Sequence, residues 1–262
     1  MASPTDARRS FDLSSDVGER PGTDGLAADA ALLRIVTSAN VACGGHAGDD
    51  SSMATLCALA VENGVAVGAQ VSYDDREGFG LRRLSVKKSL LVEQLRDQWG
   101  RLQAAAATAG TGIAYLRPHG ALYNAALVDA ETAKAVLDAA PPATPILCLG
   151  GTALAVAAER RGSPVTAEVF ADRGITADGL LVPRDQPGAV IADPAQVRAR
   201  LVRWAATGTL TAVDGSQVRI AAESICIHSD TPGALQAASQ LRAALEAAGA
   251  AIRPFARPRA QP

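Results

Sequence analysis

Ile113-Ala114-Tyr115-Leu116-Arg117-Pro118-His119-Gly120-Ala121-Leu122-Tyr123-Asn124 joins an apolar run to a polar one within twelve residues. Thr111-Gly112 precedes it, so Ile113–Leu116 reads as a short buried strand bounded by turn residues. Proline biases Arg117 towards an extended backbone, and Gly120 lets the chain turn at once, with no Cβ to obstruct a ligand. A strand that ends on Arg, His, Tyr and Asn is the arrangement in which α/β proteins carry their chemistry. The chain has three histidines. The other two, His46 and His228, also fall just past apolar strand-like runs. One histidine there reads equally well as a structural turn residue; three at the same end of strands is harder to obtain by chance.

Working outward, the 262 residues suffice for one large domain. Hydrophobic residues make up 48% but aromatics only 3%, so the core must be Ala, Val, Leu and Ile, which suits helices packed on a buried parallel sheet. Lys and Arg number 25 against 27 Asp and Glu, with no long run of one sign. That balance argues against nucleic-acid or membrane-surface binding by bulk charge. No apolar stretch approaches the ~20 residues needed to span a bilayer, and the first residues do not read as a signal peptide. Cys43, Cys57, Cys148 and Cys226 show no C-x-x-C spacing and read as buried thiols of a reducing cytoplasm. Residues 1–10 and the Pro- and Arg-rich residues 253–262 read as frayed tails around a single domain, 11–252.

Short apolar runs alternate with helical ones. Strands are expected at Phe11–Leu13, Ser38–Cys43, Val65–Ala69, Ile113–Leu116, Ile146–Leu149, Val165–Phe170 and Ser224–His228. Helices are expected at Leu26–Val36, Ser51–Asn63, Ser85–Thr108, a stretch capped by Asp129 and ending at Ala139, Ala153–Arg160 and Gln196–Ala206, with a last one opened by Thr231-Pro232. This alternation predicts one parallel α/β domain. A barrel is favoured over an open sheet because polar residues follow most strands.

Those polar residues are Asp12, Ser14 and Asp16 along the first strand, His46 and Asp49 after the second, Gln70 after the third and Arg117 with His119 after the fourth. Glu168, Asp172 and Arg173 end a later strand, and His228 with Asp230 the last. In parallel strands they converge, and carboxylates, imidazoles and guanidiniums together can move protons, hold an oxyanion or bind a divalent cation. Asp49 reads equally as a helix cap, and Glu168 with Arg173 as a structural ion pair. No G-x-x-x-x-G-K-[ST] phosphate loop is present.

Taken together, Asp12-Leu13-Ser14-Ser15-Asp16-Val17-Gly18-Glu19, Ser38 through Asp49, Gly68-Ala69-Gln70 through Gly80, Pro118 through Asn124, Glu168 through Arg173 and Val182-Pro183-Arg184 resemble the bacterial 5-oxoprolinase A-subunit family, also called lactam-utilisation proteins. The resemblance implies a distorted seven-stranded β/α barrel related to the glycoside hydrolase and deacetylase superfamily. It implies ATP-dependent opening of 5-oxo-L-proline to L-glutamate with two companion subunits, B and C, ATP being used in the assembled complex. An unstrained lactam is a poor electrophile, and phosphorylating its carbonyl oxygen would couple ring opening to ATP. The residues then expected to act are His46, His119, Asp16, Asp49 and Glu168. Those expected to hold the substrate are Asp12, Gln70, Arg117, Tyr123, Asn124, Arg173 and His228. Related deacetylases use an Asp/His/His set, which would make Asp12, His46 and His119 the ligands of a divalent metal.

Departures from the family pattern gather in the expected pocket. Gln70-Val71 stands where the family has His-Pro, Ser14 for Asn, Gly45 for Phe, Leu81 for Arg, Arg117 for Lys and Ser229 for Gly. Glutamine cannot transfer a proton near neutral pH, and arginine keeps lysine's charge without its basicity. Two other readings therefore stand beside the first: an amidohydrolase acting on another lactam or cyclic amide, and a non-catalytic paralogue that binds a small acid.

Overall fold

The computed structural model describes residues 9–257; most of the expected N-terminal extension and the end of the tail lie outside them. Seven parallel strands close into a barrel in chain order: β1 (Ser10–Val17), β2 (Ser38–Ala42), β3 (Ala66–Val71), β4 (Ile113–Pro118), β5 (Ile146–Cys148), β6 (Val165–Phe170) and β9 (Ser224–Ile227), with β9 paired back onto β1. The excursion between β6 and β9 carries a small antiparallel hairpin of β7 (Thr209–Thr211) and β8 (Gln217–Arg219) about Asp214-Gly215. A two-residue β10 (Ala251–Ile252) extends the edge of β1.

Helices α1 (Gly22–Leu33), α2 (Asp50–Asn63), α3 (Lys88–Thr108), α4 (Gly120–Val128), α5 (Ala130–Asp138), α6 (Ala153–Arg161), α7 (Pro194–Thr207) and α8 (Ala234–Ala247) surround the strands. They bury Leu56, Leu95, Leu102, Leu122, Val136 and Leu201 against strand residues such as Leu13, Val41, Leu116 and Ile225. Local sequence sets the starts. Asp49 and Ser52 form a reciprocal capping box on α2, Asp129 caps α5, and Asp193 caps α7 with Pro194 in its first turn.

Three expectations are corrected. The stretch after His119 is helical, as α4. The last helix starts at Ala234 with Gly233 before it, because Thr231 donates its hydroxyl to Asp172 and does not cap. The described tail residues are not frayed: Phe255 packs on Tyr115, with ring centroids 4.8 Å apart, at the N-terminal end of the barrel.

The barrel interior is polar, and its layers follow from strand alternation. Asp12, Ser38 and Ser224 form the lowest layer. Above it Tyr115 donates to Asn40 (2.7 Å), and Arg117 reaches Asp16 and Glu168. The histidines sit at the C-terminal ends.

Candidate active site

Two groups of titratable side chains face each other across the C-terminal mouth. The first is built from the end of β1 and the loops after β2, β3 and β4. His46 and His119 stack with centroids 3.8 Å apart and planes 7° apart. Glu19 Oε1 lies 3.2 Å from His46 Nε2 and 3.3 Å from His119 Nδ1. Gln70 donates its amide to Glu19 (2.9 Å) and to His119 Nδ1 (3.1 Å). Phe79 stands edge-on to both rings, and its carbonyl takes the proton of His119 Nε2 at 3.2 Å.

Proton placement follows from the donors available. The Ser72 hydroxyl donates to the Tyr73 carbonyl (2.9 Å), so His46 Nδ1–H must donate to Ser72 Oγ (3.0 Å). His46 Nε2 is then an acceptor, and the oxygen it faces must carry a proton. Burial, reinforced by the charge of Asp16, does raise the Glu19 carboxyl to about 7. Burial lowers both imidazoles to about 4, with His46 adding to the effect on His119. The trio is therefore a neutral hydrogen-bonded chain and not an ion pair.

The second group is His228, whose Nδ1 lies 2.8 Å from Asp172 Oδ1. Burial disfavours its charge, but Asp172 outweighs that and holds its pKa above the ordinary value. Its Nε2 has no protein partner among the described residues. Between the groups, Arg117 bridges Asp16 (3.0 Å) and Glu168 (3.0 Å), an arrangement a lysine's single nitrogen could not make with the same fork. Tyr123 donates to Glu168 at 2.8 Å. Burial would raise Asp16, yet Arg117 brings it down to about 2.

A cavity of about 420 Å³ opens here, with Asp16, Arg117, His119, Asn124, Arg184 and His228 in its walls. Arg173 also lines it, but spends its guanidinium on the carbonyls of Ala189 and Val182. Thus His46, His119, Asp16, Glu168, Gln70, Arg117, Tyr123, Asn124, Arg173 and His228 are brought to one end of the barrel. Two of the expected residues are not. Asp12 lies in the lowest layer, where its carboxylate accepts from Thr37, Ser38 and Ser224. Asp49 is exposed and caps α2.

Sequence reasoning placed Asp172 among the converging strand-end residues but gave neither it nor Glu19 a role in the site. Each follows the end of its strand by two residues, which is the only signal they give. Gly45 does not open an aromatic-sized gap: a Cβ there would meet Ser72 Oγ at 2.5 Å and Gln98 Nε2 at 2.6 Å. All four cysteines are buried and free, and burial pushes the Cys43 thiol up to about 12, so none is poised as a nucleophile.

The expected metal set is likewise corrected, since Asp12 is absent from it. Glu19, His46 and His119 do place one ligand atom each within 4.8 Å of the others. An imidazole binds an ion in its own ring plane, however, and two stacked, nearly parallel rings have no common in-plane point. The Gln70 amide also aims its N–H at this spot. The donors in this arrangement do not fit a single cation.

The model of the LamB/YcsF family matches residues 11–260. The chain belongs to the LamB/YcsF family. A relative from Kocuria rhizophila, named as the A subunit of 5-oxoprolinase, is 52% identical over 249 residues, covering 94% of this chain and 99% of its own. One of the same name from Mycobacterium avium is 47% identical, with 94% and 98% covered. The solved lactam utilization protein of Thermus thermophilus superposes with a TM-score of 0.85 at 35% identity, covering 94% of this chain and 100% of that one. For this LamB/YcsF member the closed seven-stranded barrel is thus shared with a solved relative. Among the described residues no helix is long and apolar enough to cross a membrane.

Proposed function

We propose that this chain is the A component of a cytoplasmic 5-oxoprolinase, opening the lactam of 5-oxo-L-proline to L-glutamate together with subunits B and C. ATP would be hydrolysed in that assembly; this chain has no G-x-x-x-x-G-K-[ST] loop, so the nucleotide would be held in another way or by a partner. One observation carries the reading in a chain with such relatives: His228, whose charged form Asp172 favours, lines one polar cavity with an ionised Asp16. Environments that push two groups apart in pKa are how acid and acceptor roles are divided.

In ring opening, water adds hydroxide to the carbonyl carbon, the C–N bond breaks, and the nitrogen gains a proton. His228, held by Asp172, supplies that proton. His119, neutral near pH 7, takes the proton of the attacking water. It does so in the tautomer that carries its own proton on Nδ1, with the Gln70 amide turned so that its oxygen, unpartnered at rest, accepts that proton; Nε2, freed from the Phe79 carbonyl, is then the acceptor. Arg117 keeps Asp16 ionised.

The test is glutamate formation and 5-oxoproline-dependent ATP hydrolysis by the chain alone and with both companions. The expected result is turnover only in the full set; no glutamate from the full set overturns the reading. Gln70 favours the second reading, an amidohydrolase with another substrate. If it marks such divergence, turnover of 5-oxoproline is poor and Gln70→His raises it, general acid–base groups contributing about 10²–10⁴-fold. Full activity with no gain in the variant leaves the first reading alone.

A further inference from the structure

We propose that the second carboxylate oxygen of Asp16 accepts the N–H of the ligand's cyclic amide, so that the cavity selects lactams that keep a free N–H. The inference rests on the reading above and deepens it. Asp16 closes β1 at 1% exposure and lines the cavity. Its Oδ1 is used twice, by Arg117 Nη1 at 3.0 Å and Asn40 Nδ2 at 2.8 Å. Its Oδ2 is buried without a partner. The groups packed around it are Arg117 and His119 from β4 and its end, Asn40 from β2, Glu168 from β6, and Cys226 and His228 from β9 and its end; none donates to Oδ2.

A buried ionised acceptor left unpaired is costly; Asp16 is one of the residues that line the cavity, and Cys226 and His228, each with an atom within 4.8 Å of its carboxylate, make no hydrogen bond to Oδ2. The missing partner is therefore a donor brought by the ligand. An amide N–H supplies it. A lactone presents ring-oxygen lone pairs to a carboxylate and is repelled, while an N-alkyl lactam places carbon there. The same contact strengthens during reaction, because the amide nitrogen leaves as the product's ammonium group, and strengthening of that kind assists the chemical step.

Calorimetric titration of the chain with 5-oxo-L-proline and with its oxygen isostere, 5-oxotetrahydrofuran-2-carboxylate, tests this without any variant. The same pair is compared in the assembled complex, the isostere serving as a competitor of turnover. The lactone is expected to bind about 10–100-fold more weakly, the range of a hydrogen bond to a charged group. Asp16→Asn should reverse the order: Arg117 and Asn40 keep the amide oxygen on their side and turn its NH₂, a donor, towards the cavity. A melting curve checks that the variant is folded. Equal affinity of the two molecules for the wild-type chain overturns the inference, Oδ2 then being served by water; so does binding of neither. Turnover of 5-oxoproline with equal affinities leaves the function standing without the Asp16 contact. Tighter lactam binding without turnover does the reverse.

Discussion

Glu19 shows at the scale of one residue how burial sets a protonation state that sequence cannot display. Its carboxyl has an ordinary value of 4.5 and sits at about 7 in the fold. The folded chain therefore holds a proton that the unfolded chain has released between those values. The stability this contributes is fully present below pH 4.5 and is lost as pH rises through 7. His46 and His119, lowered from 6.5 to about 4, run the other way, their contribution being lost as pH falls through 4. The opposing slopes hide one another in the wild type. In Glu19→Gln the amide is neutral at every pH, like the protonated acid, and its NH₂ can donate to His46 Nε2, at the cost of the oxygen that accepted from Gln70. That variant should gain stability relative to wild type as pH rises from 4.5 to 7, by about 1 kcal/mol per pH unit or less. Paired melts across that range measure it; a pH-independent difference would mean that Glu19 is ionised. His228→Asn should lower kcat by about 10²–10⁴-fold in the assembled complex while the melting temperature changes little; unchanged kcat would make His228 a structural turn residue. The histidines were legible in the sequence because each follows a strand. Asp12 was not placed correctly because alternation by two puts it on the same face as Asp16 and says nothing of height along the barrel. Asp49 was ambiguous because a carboxylate after a strand serves a helix start as well as a site.

The loop from Ser72 to Arg82 is the element that seals the histidine pair. Asp75 anchors it by accepting from the Gly78 amide (3.0 Å) and pairing with Arg82, and the Ala121 amide donates to the Gly80 carbonyl at 2.8 Å. Phe79 is held at φ 54°, unusual for a side chain of that size, which lays its ring edge-on to both imidazoles and its carbonyl on His119. Gly80 follows at φ +67°, and a Cβ on it would meet His46 Cβ at 2.9 Å and His119 Cδ2 at 3.2 Å. Only glycine fits both the backbone and the space. Gly80→Ala should therefore cost about 1–3 kcal/mol, seen as a lower melting temperature. It should also shift the imidazole proton resonances of His46 and His119 while leaving His228 unmoved; unchanged resonances would mean that the loop does not touch the pair as described. In sequence this stretch is only a run rich in Gly and Asp between β3 and α3, and nothing in that composition shows that it closes on the histidines. Elements with strong local signals were better defined: α2, between Asp49 and Gly64, starts one residue before the expected Ser51, and β6 has the expected bounds. Helix α4 was hidden because the residues that drew attention as a site, Gly120 to Asn124, are also its first turn.

For the molecule as a whole, the alternation of apolar runs with helical periods was enough to indicate a parallel barrel. What it could not show is how the barrel is stopped at its other end. The lowest layer is polar around Asp12, but Tyr115, with its hydroxyl on Asn40, forms a small apolar floor with Ala66, Ala114 and Leu147. The chain returns there after β10, and Phe255 with Ala256 covers that floor. Proline and arginine content made residues 253–262 look like a solvated tail, because composition cannot register a single aromatic side chain with a place to go. If Phe255 is the plug, Phe255→Ala uncovers the Tyr115 ring and loses the apolar contact. Full burial of a phenylalanine lost to alanine costs about 3–5 kcal/mol. Phe255 is only half-buried, so a loss of about 1–3 kcal/mol is expected and the melting temperature should fall by several degrees. Activity in the assembled complex should keep its KM and kcat, because the cavity lies at the opposite end of the strands. Arg257→Ala, just beyond it in the chain and exposed, serves as the control and should change neither. A Phe255→Ala protein that melts with the wild type would show that the segment adds nothing to the barrel; one that loses activity at unchanged stability would show that the two ends are coupled through the polar layers between them.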